Sequence, residues 1–145
     1  MKTAGQLAQA RGDQVWSIGP GEALSEALKL MSEKSVEALL VLENGKMVGI
    51  VSTRDHTANC VRGRCAKVTP VDSVMSKDVP CVGADKPLEQ CLALMSERRA
   101  RHLPVIDEKG RVVGVISFKD VANAMLSERE FIIEQLENYI IGWPG

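Results

Sequence analysis

Two stretches of this chain set a hydroxyl, a basic side chain and a carboxylate at one fixed spacing. They are Gly49-Ile50-Val51-Ser52-Thr53-Arg54-Asp55 and Gly114-Val115-Ile116-Ser117-Phe118-Lys119-Asp120. In each, an apolar run that reads as a strand ends in a serine that opens a helix. The free amides of a helix N-terminus, the serine hydroxyl and Arg54 or Lys119 together suit a phosphate. Asp55 and Asp120 fall one turn further along the same face, where a carboxylate can accept both hydrogens of a ribose 2′,3′-diol, as the acidic residue of dinucleotide folds does. Ser-x-x-Asp is also a capping box, which stabilises a helix start by about 1 kcal/mol. Its recurrence with the same glycine and basic neighbours favours a ligand over a cap alone, and Gly49 and Gly114 would let that ligand approach the backbone.

The elements that must position these residues are themselves duplicated. Leu24, Leu28, Leu30, Met31, Ser32, Glu33, Leu39 and Val41 recur as Leu88, Leu92, Leu94, Met95, Ser96, Glu97, Leu103 and Val105, each displaced by 64 positions. Gly45, Val48, Gly49, Ser52 and Asp55 recur as Gly110, Val113, Gly114, Ser117 and Asp120 at a displacement of 65, so one residue is inserted in a turn, where insertions are tolerated. Leu24, Ala27, Leu28 and Met31, like Leu88, Cys91, Leu92 and Met95, have the i, i+3, i+4, i+7 spacing of an apolar helix face. Two short apolar runs follow in each copy, joined by Asn44-Gly45 in the first, a strong hairpin signal, and by Lys109-Gly110 in the second. An extended piece precedes each helix, Val15–Ile18 and Val79–Val82. The unit is strand, helix, strand, strand, helix, an α/β (α+β) fold written twice.

The expected organisation is a first repeat with an N-terminal helix over 1–62, a linker over 63–70, a second repeat over 71–126, and a C-terminal helix and tail over 127–145. That last helix opens at the capping box Ser127-Glu128-Arg129-Glu130, carries Phe131, Ile132, Leu136 and Ile140 on an apolar stripe, and stops at Gly142-Trp143-Pro144-Gly145.

Composition narrows the function classes. The 145 residues are 45% hydrophobic and 26% charged with a net charge of −1, the balance of an ordinary globular protein. Aromatics make up 3%, and no basic stripe interleaved with aromatics announces nucleic acid. The longest apolar run, Ala38 to Leu42, is too short for a membrane span, and the first residues lack a signal-peptide core, so the expected address is the cytoplasm. Cys60, Cys65, Cys81 and Cys91 are then reduced thiols, with Cys91 a small core residue in the place of Ala27. Their spacing matches no zinc pattern, and neither a nucleophile–base pair nor a Gly-rich phosphate loop is present, so no catalytic or metal residues are expected.

The pattern of Gly, two apolar residues, Ser, two residues and Asp resembles the nucleotide motif of the CBS domain, named after cystathionine beta-synthase, and the pair resembles a Bateman module. Arg101-His102-Leu103-Pro104-Val105-Ile106-Asp107 resembles a strand signature of that family, and Glu134–Ile140 the end of stand-alone bacterial members. The resemblance implies two βαββα repeats related by a pseudo-twofold axis, with an adenosine ligand in the cleft between them: AMP, ADP, ATP, S-adenosylmethionine or NAD(H). By motif position Asp55 and Asp120 would hold ribose, Ser52, Arg54, Ser117 and Lys119 would lie toward phosphate, and Ile18 and Val82 would flank adenine. Arg101, His102 and Pro104 join them from the strand signature. The first copy departs from it, with Glu37-Ala38-Leu39-Leu40 in place of the basic residues and proline, so unequal occupancy is expected. The implied function is a non-catalytic sensor, a homodimer reporting to a separate effector enzyme. The competing reading is a ligand-free scaffold for dimerisation or docking. A catalytic barrel of about 250 residues cannot fit in this length.

Overall fold

The computed structural model describes residues 2–12 and 15–141, with side chains as far as 138. The chain divides into two compact units: residues 14–79, and residues 80–145 together with the N-terminal segment.

The first unit holds β1 (Ser17–Ile18), α2 (Leu24–Lys34), β2 (Ala38–Glu43), β3 (Lys46–Ser52) and α3 (Thr53–Val61). The second holds α1 (Ala4–Ala10), β4 (Val82–Gly83), α4 (Leu88–Arg98), β5 (His102–Ile106), β6 (Val112–Ser117) and α5 (Phe118–Ile141). Each unit has a three-stranded sheet with its strands in chain order, the first pair parallel and the second antiparallel. Two βαββα repeats are therefore present, as the duplication requires.

The period-two alternation of the strands builds both cores. Leu39, Val41 and Val51 turn inward onto Leu24, Ala27 and Met31 of α2, and Leu103, Val105 and Ile116 onto Leu88, Cys91 and Met95 of α4. Ala27 and Cys91 are both fully buried, so Cys91 is a small core residue as expected. The first hairpin closes through Asn44 and Gly45, with φ of 53° and 78°, the left-handed pair that this tight turn demands. In the second, the inserted residue is absorbed by Asp107, whose carboxylate accepts the amides of Lys109 and Arg111, each at 2.9 Å, while Gly110 takes φ of 79°.

Neither α2 nor α4 has a side-chain N-cap, for Ala23 and Pro87 occupy those positions. Their amides are met by backbone from elsewhere in the chain. Leu24 N–H donates to Thr69 O at 2.8 Å and Ser25 N–H to Ala66 O at 3.0 Å, while Leu88 N–H donates to Lys2 O at 3.3 Å. Val71 and Asp72 donate to Glu22 O and Pro20 O at 2.8 and 3.0 Å, and Ala4 and Gly5 donate in the same way to Lys86 O and Ala84 O at 2.8 and 2.9 Å. Residues 2–5 thus dock on the second repeat as residues 69–72 dock on the first, each 67 positions apart (Lys2 to Thr69).

Three expectations change. The N-terminal helix, expected with the first repeat, packs in the second, because Ala4, Leu7 and Ala8 complete the core around β6. The stretch 63–70 is no free linker: it supplies the missing cap of α2, and Asn59 Nδ2, Thr69 Oγ1 and Cys65 O form a chain of hydrogen bonds tying it to α3 at 3.4 and 2.8 Å. No new helix begins at Ser127, since α5 runs unbroken from Phe118 to Ile141 and Ser127-Glu128-Arg129-Glu130 lies inside it. The Ile140 side chain and the Gly142–Gly145 stop lie outside the described residues.

Candidate functional site

Each motif is a strand that runs directly into a helix, and the serine caps the junction. Ser52 is extended at φ −135°, ψ 171°, and its N–H donates to Asp55 Oδ2 at 2.7 Å, completing a reciprocal capping box. Ser52 Oγ lies 3.3 Å from the same oxygen. In the second repeat Ser117 N–H donates to Asp120 Oδ2 at 2.9 Å and Asp120 N–H to Ser117 Oγ at 3.1 Å. The capping role is real in both copies, and it engages only one carboxylate oxygen, so a cap and a diol acceptor are compatible.

The helix amides are less available than the sequence suggests. Thr53 N–H donates to Glu37 O at 3.1 Å and Phe118 N–H to Arg101 O at 2.8 Å, so the residue just before the opening strand of each hairpin takes the first amide of the helix that follows. The glycines do not open the backbone to a ligand either. A Cβ on Gly49 would meet Met75 Sδ and Ser76 O at 2.7 Å, and one on Gly114 would meet Ala8 Cβ at 2.7 Å. Their small size serves internal packing: the chain itself fills that space, with Ser76 hydrogen-bonded to Ile50 in both directions.

Ile18 pairs with Val41 and packs partly buried on the first core, whereas Val82, paired with Val105, is only 6% exposed and has little surface left for a base. Arg54 and Lys119 are exposed. Arg101 is exposed at the entry to β5, His102 is half-buried opposite Ser117, and Pro104, opposite Val115, is buried on the sheet face away from Leu103 and Val105. Arg101, His102, Ser117, Lys119 and Asp120 thus gather at one sheet end of the second unit, and Ser52, Arg54 and Asp55 at the matching end of the first. Trp16 packs on the first core with Lys34 Nζ 4.4 Å from its ring centroid.

The two carboxylates differ. Burial pushes the Asp55 carboxyl up, and the Ser52 hydrogen bonds and Arg54 only partly counter it. Asp120 is joined by a residue that sequence reading missed, Arg11, whose guanidinium donates to Asp120 Oδ2 from 109 positions away. Among the described residues no group of three or more His, Cys, Asp or Glu could hold a metal ion, and no helix is long and apolar enough to cross a membrane.

Two βαββα repeats, each ending its second hairpin strand in a serine-capped helix, define a tandem CBS-domain pair, the Bateman module. The CBS domain family model matches residues 12–55 and 71–127, and the chain belongs to that family. Among its relatives, the mitochondrial CBS domain-containing protein CBSX3 of Arabidopsis thaliana is 31% identical over 98% of this chain and 70% of its own length. The inosine-5′-monophosphate dehydrogenase of Methanocaldococcus jannaschii is 34% identical over 74% of this chain, but the match spans only 21% of that enzyme. Among solved structures, a protein with CBS domains from Burkholderia ambifaria superposes with a TM-score of 0.81 at 33% identity, covering 87% of this chain and 95% of its own. The CBS domain pair of protein MJ0100, solved with 5′-methylthioadenosine and S-adenosyl-L-methionine, shares the fold at a TM-score of 0.77 and 19% identity, covering 88% of this chain and 98% of its own.

Proposed function

We propose that this chain is a non-catalytic regulatory sensor that binds an adenosine ligand: AMP, ADP, ATP or NAD(H). The observation that carries the reading is the duplicated Ser-x-x-Asp turn, in which each aspartate is held by its own serine through one oxygen and set beside an exposed Arg54 or Lys119. Asp55 and Asp120 accept the ribose diol, and Ser52, Arg54, Ser117, Lys119 and Arg101 lie toward phosphate. The MJ0100 pair, with its two adenosine compounds, supports this ligand class. The protein acts in the cytoplasm as a homodimer and reports to a separate effector enzyme.

A ligand-free scaffold is the second reading, favoured by α5, on which Leu126, Phe131, Ile132, Ile133 and Leu136 are all more than half exposed. A melting panel of AMP, ADP, ATP, NAD, NADH, S-adenosylmethionine and GTP separates the two. At one hundred times its dissociation constant a ligand stabilises the fold by about 2.7 kcal/mol, a rise of a few degrees. A flat panel at millimolar concentrations would sink the sensor and leave the scaffold.

A further inference from the structure

Of the two motif carboxylates, Asp120 is the one that, among the described residues, accepts a hydrogen bond from an arginine. Arg11 is placed there by more than its own reach. It caps the C-terminus of α1, whose Ala4, Leu7 and Ala8 are buried in the second core. The helix is pressed close at two points, Gly5 against Ala84, where a Cβ would stand 2.9 Å away, and Ala8 against Gly114. Its entry is fixed by the hydrogen bonds of Ala4 and Gly5 to Lys86 O and Ala84 O. With the helix anchored, little further ordering is needed to bring the guanidinium to Asp120.

We propose that Arg11 decides which repeat takes the ligand: it competes with the ribose diol for Asp120, so that Asp55 is the stronger site and release of Arg11 strengthens the second. This rests on the ribose role given to the two aspartates above. Asp120 Oδ2 already receives the Ser117 amide and the guanidinium, and the guanidinium brings a full positive charge to the carboxylate where a ribose hydroxyl brings only a neutral donor. Among the described residues no arginine hydrogen-bonds Asp55, whose nearby Arg54 acts on it only through its charge. The docked segment of the first repeat, 69–72, uses the same backbone bonds, but the residue 67 positions on from Arg11 is Asp78, a carboxylate, and the hydrogen bonds of Asp55 found among the described residues go to Ser52 alone. The Arg11 and Asp120 side chains remain 41% and 22% exposed, so a ligand can reach the pair and exchange with it.

The test isolates the second motif. Calorimetric titration of AMP and of ATP into the wild type, Asp55→Ala, Asp55→Ala/Arg11→Gln and Asp55→Ala/Arg11→Lys compares that motif with and without its competitor. Asp55→Ala should bind more weakly than the wild type, and adding Arg11→Gln should tighten it by up to about fivefold, the worth of one partly exposed ion pair. Arg11→Lys, which keeps the charge, should recover less. If Arg11→Gln leaves binding unchanged or weakens it while the wild type binds normally, the competition is overturned and the nucleotide reading stands. If neither nucleotide binds any of the four proteins, the AMP and ATP reading falls, and the competition with it.

Discussion

Ala8 and Gly114 approach so closely that a Cβ added to the glycine would stand 2.7 Å from the alanine Cβ. Both positions belong to a helix–strand contact within one core, where backbone has no room to yield. Gly114→Ala should therefore destabilise the fold by about 1 to 3 kcal/mol, the usual cost of overpacking. Gly21→Ala, at an exposed glycine with open space around its Cβ position, should be neutral or stabilise by up to about 1 kcal/mol. Urea unfolding of the two variants checks the contrast, and equal midpoints would show that α1 is not seated against β6.

Ser35 and Arg99 end their helices in the left-handed region, at φ of 55° and 52°. A side chain there is strained and glycine is not, so Ser35→Gly should raise stability by about 0.5 to 1 kcal/mol despite the greater freedom of the unfolded glycine. The same unfolding curves measure it.

Asp55 links the motif to pH. Its carboxyl is raised by burial in the folded state, so its contribution to stability is complete below the unfolded value of about 3.9 and is lost as pH rises through the folded value. Asp107 works in the opposite sense: the backbone amide of Arg111 holds its carboxyl below the ordinary range, and that stabilisation is lost as pH falls. Comparing wild type with Asp55→Asn at each pH cancels Asp107 and the other carboxylates. The variant should be the more stable at pH 7, with its advantage shrinking toward pH 4, and should bind ligand more weakly. An advantage independent of pH would remove the burial argument.

Leu126, Ile133 and Leu136 are spaced i, i+7, i+10 along α5 and are exposed by more than half. Such a stripe needs cover. Light scattering should report a dimer at micromolar concentration, and Ile133→Glu with Leu136→Glu should shift it to monomer without altering the helical signal. A monomeric wild type would contradict the homodimer.

What was legible in the sequence was whatever side-chain chemistry records. Ser52 and Ser117 cap helices, Asn44-Gly45 turns a hairpin, and Cys91 replaces Ala27, each readable from residue type and spacing. The docking of residues 2–5 and 69–72 was not, because those hydrogen bonds are backbone to backbone and leave no signature in Lys2-Thr3-Ala4-Gly5 against Thr69-Pro70-Val71-Asp72. The Arg11 to Asp120 pair escaped for a different reason: it joins two side chains 109 positions apart, and nothing local announces a partner across the unit. Ser127-Glu128-Arg129-Glu130 misled because a capping box and two neighbours on one helix face share the i, i+3 spacing.

Diol recognition by the motif aspartates is tested most directly by titrating ATP and 2′,3′-dideoxy-ATP into the wild-type protein. The two differ only in the hydroxyls that Asp55 would accept. A hydrogen bond to a charged group contributes about 1.5 to 3 kcal/mol, so the dideoxy compound should bind at least about tenfold more weakly. Equal affinity for the two would show that the carboxylates only cap their helices.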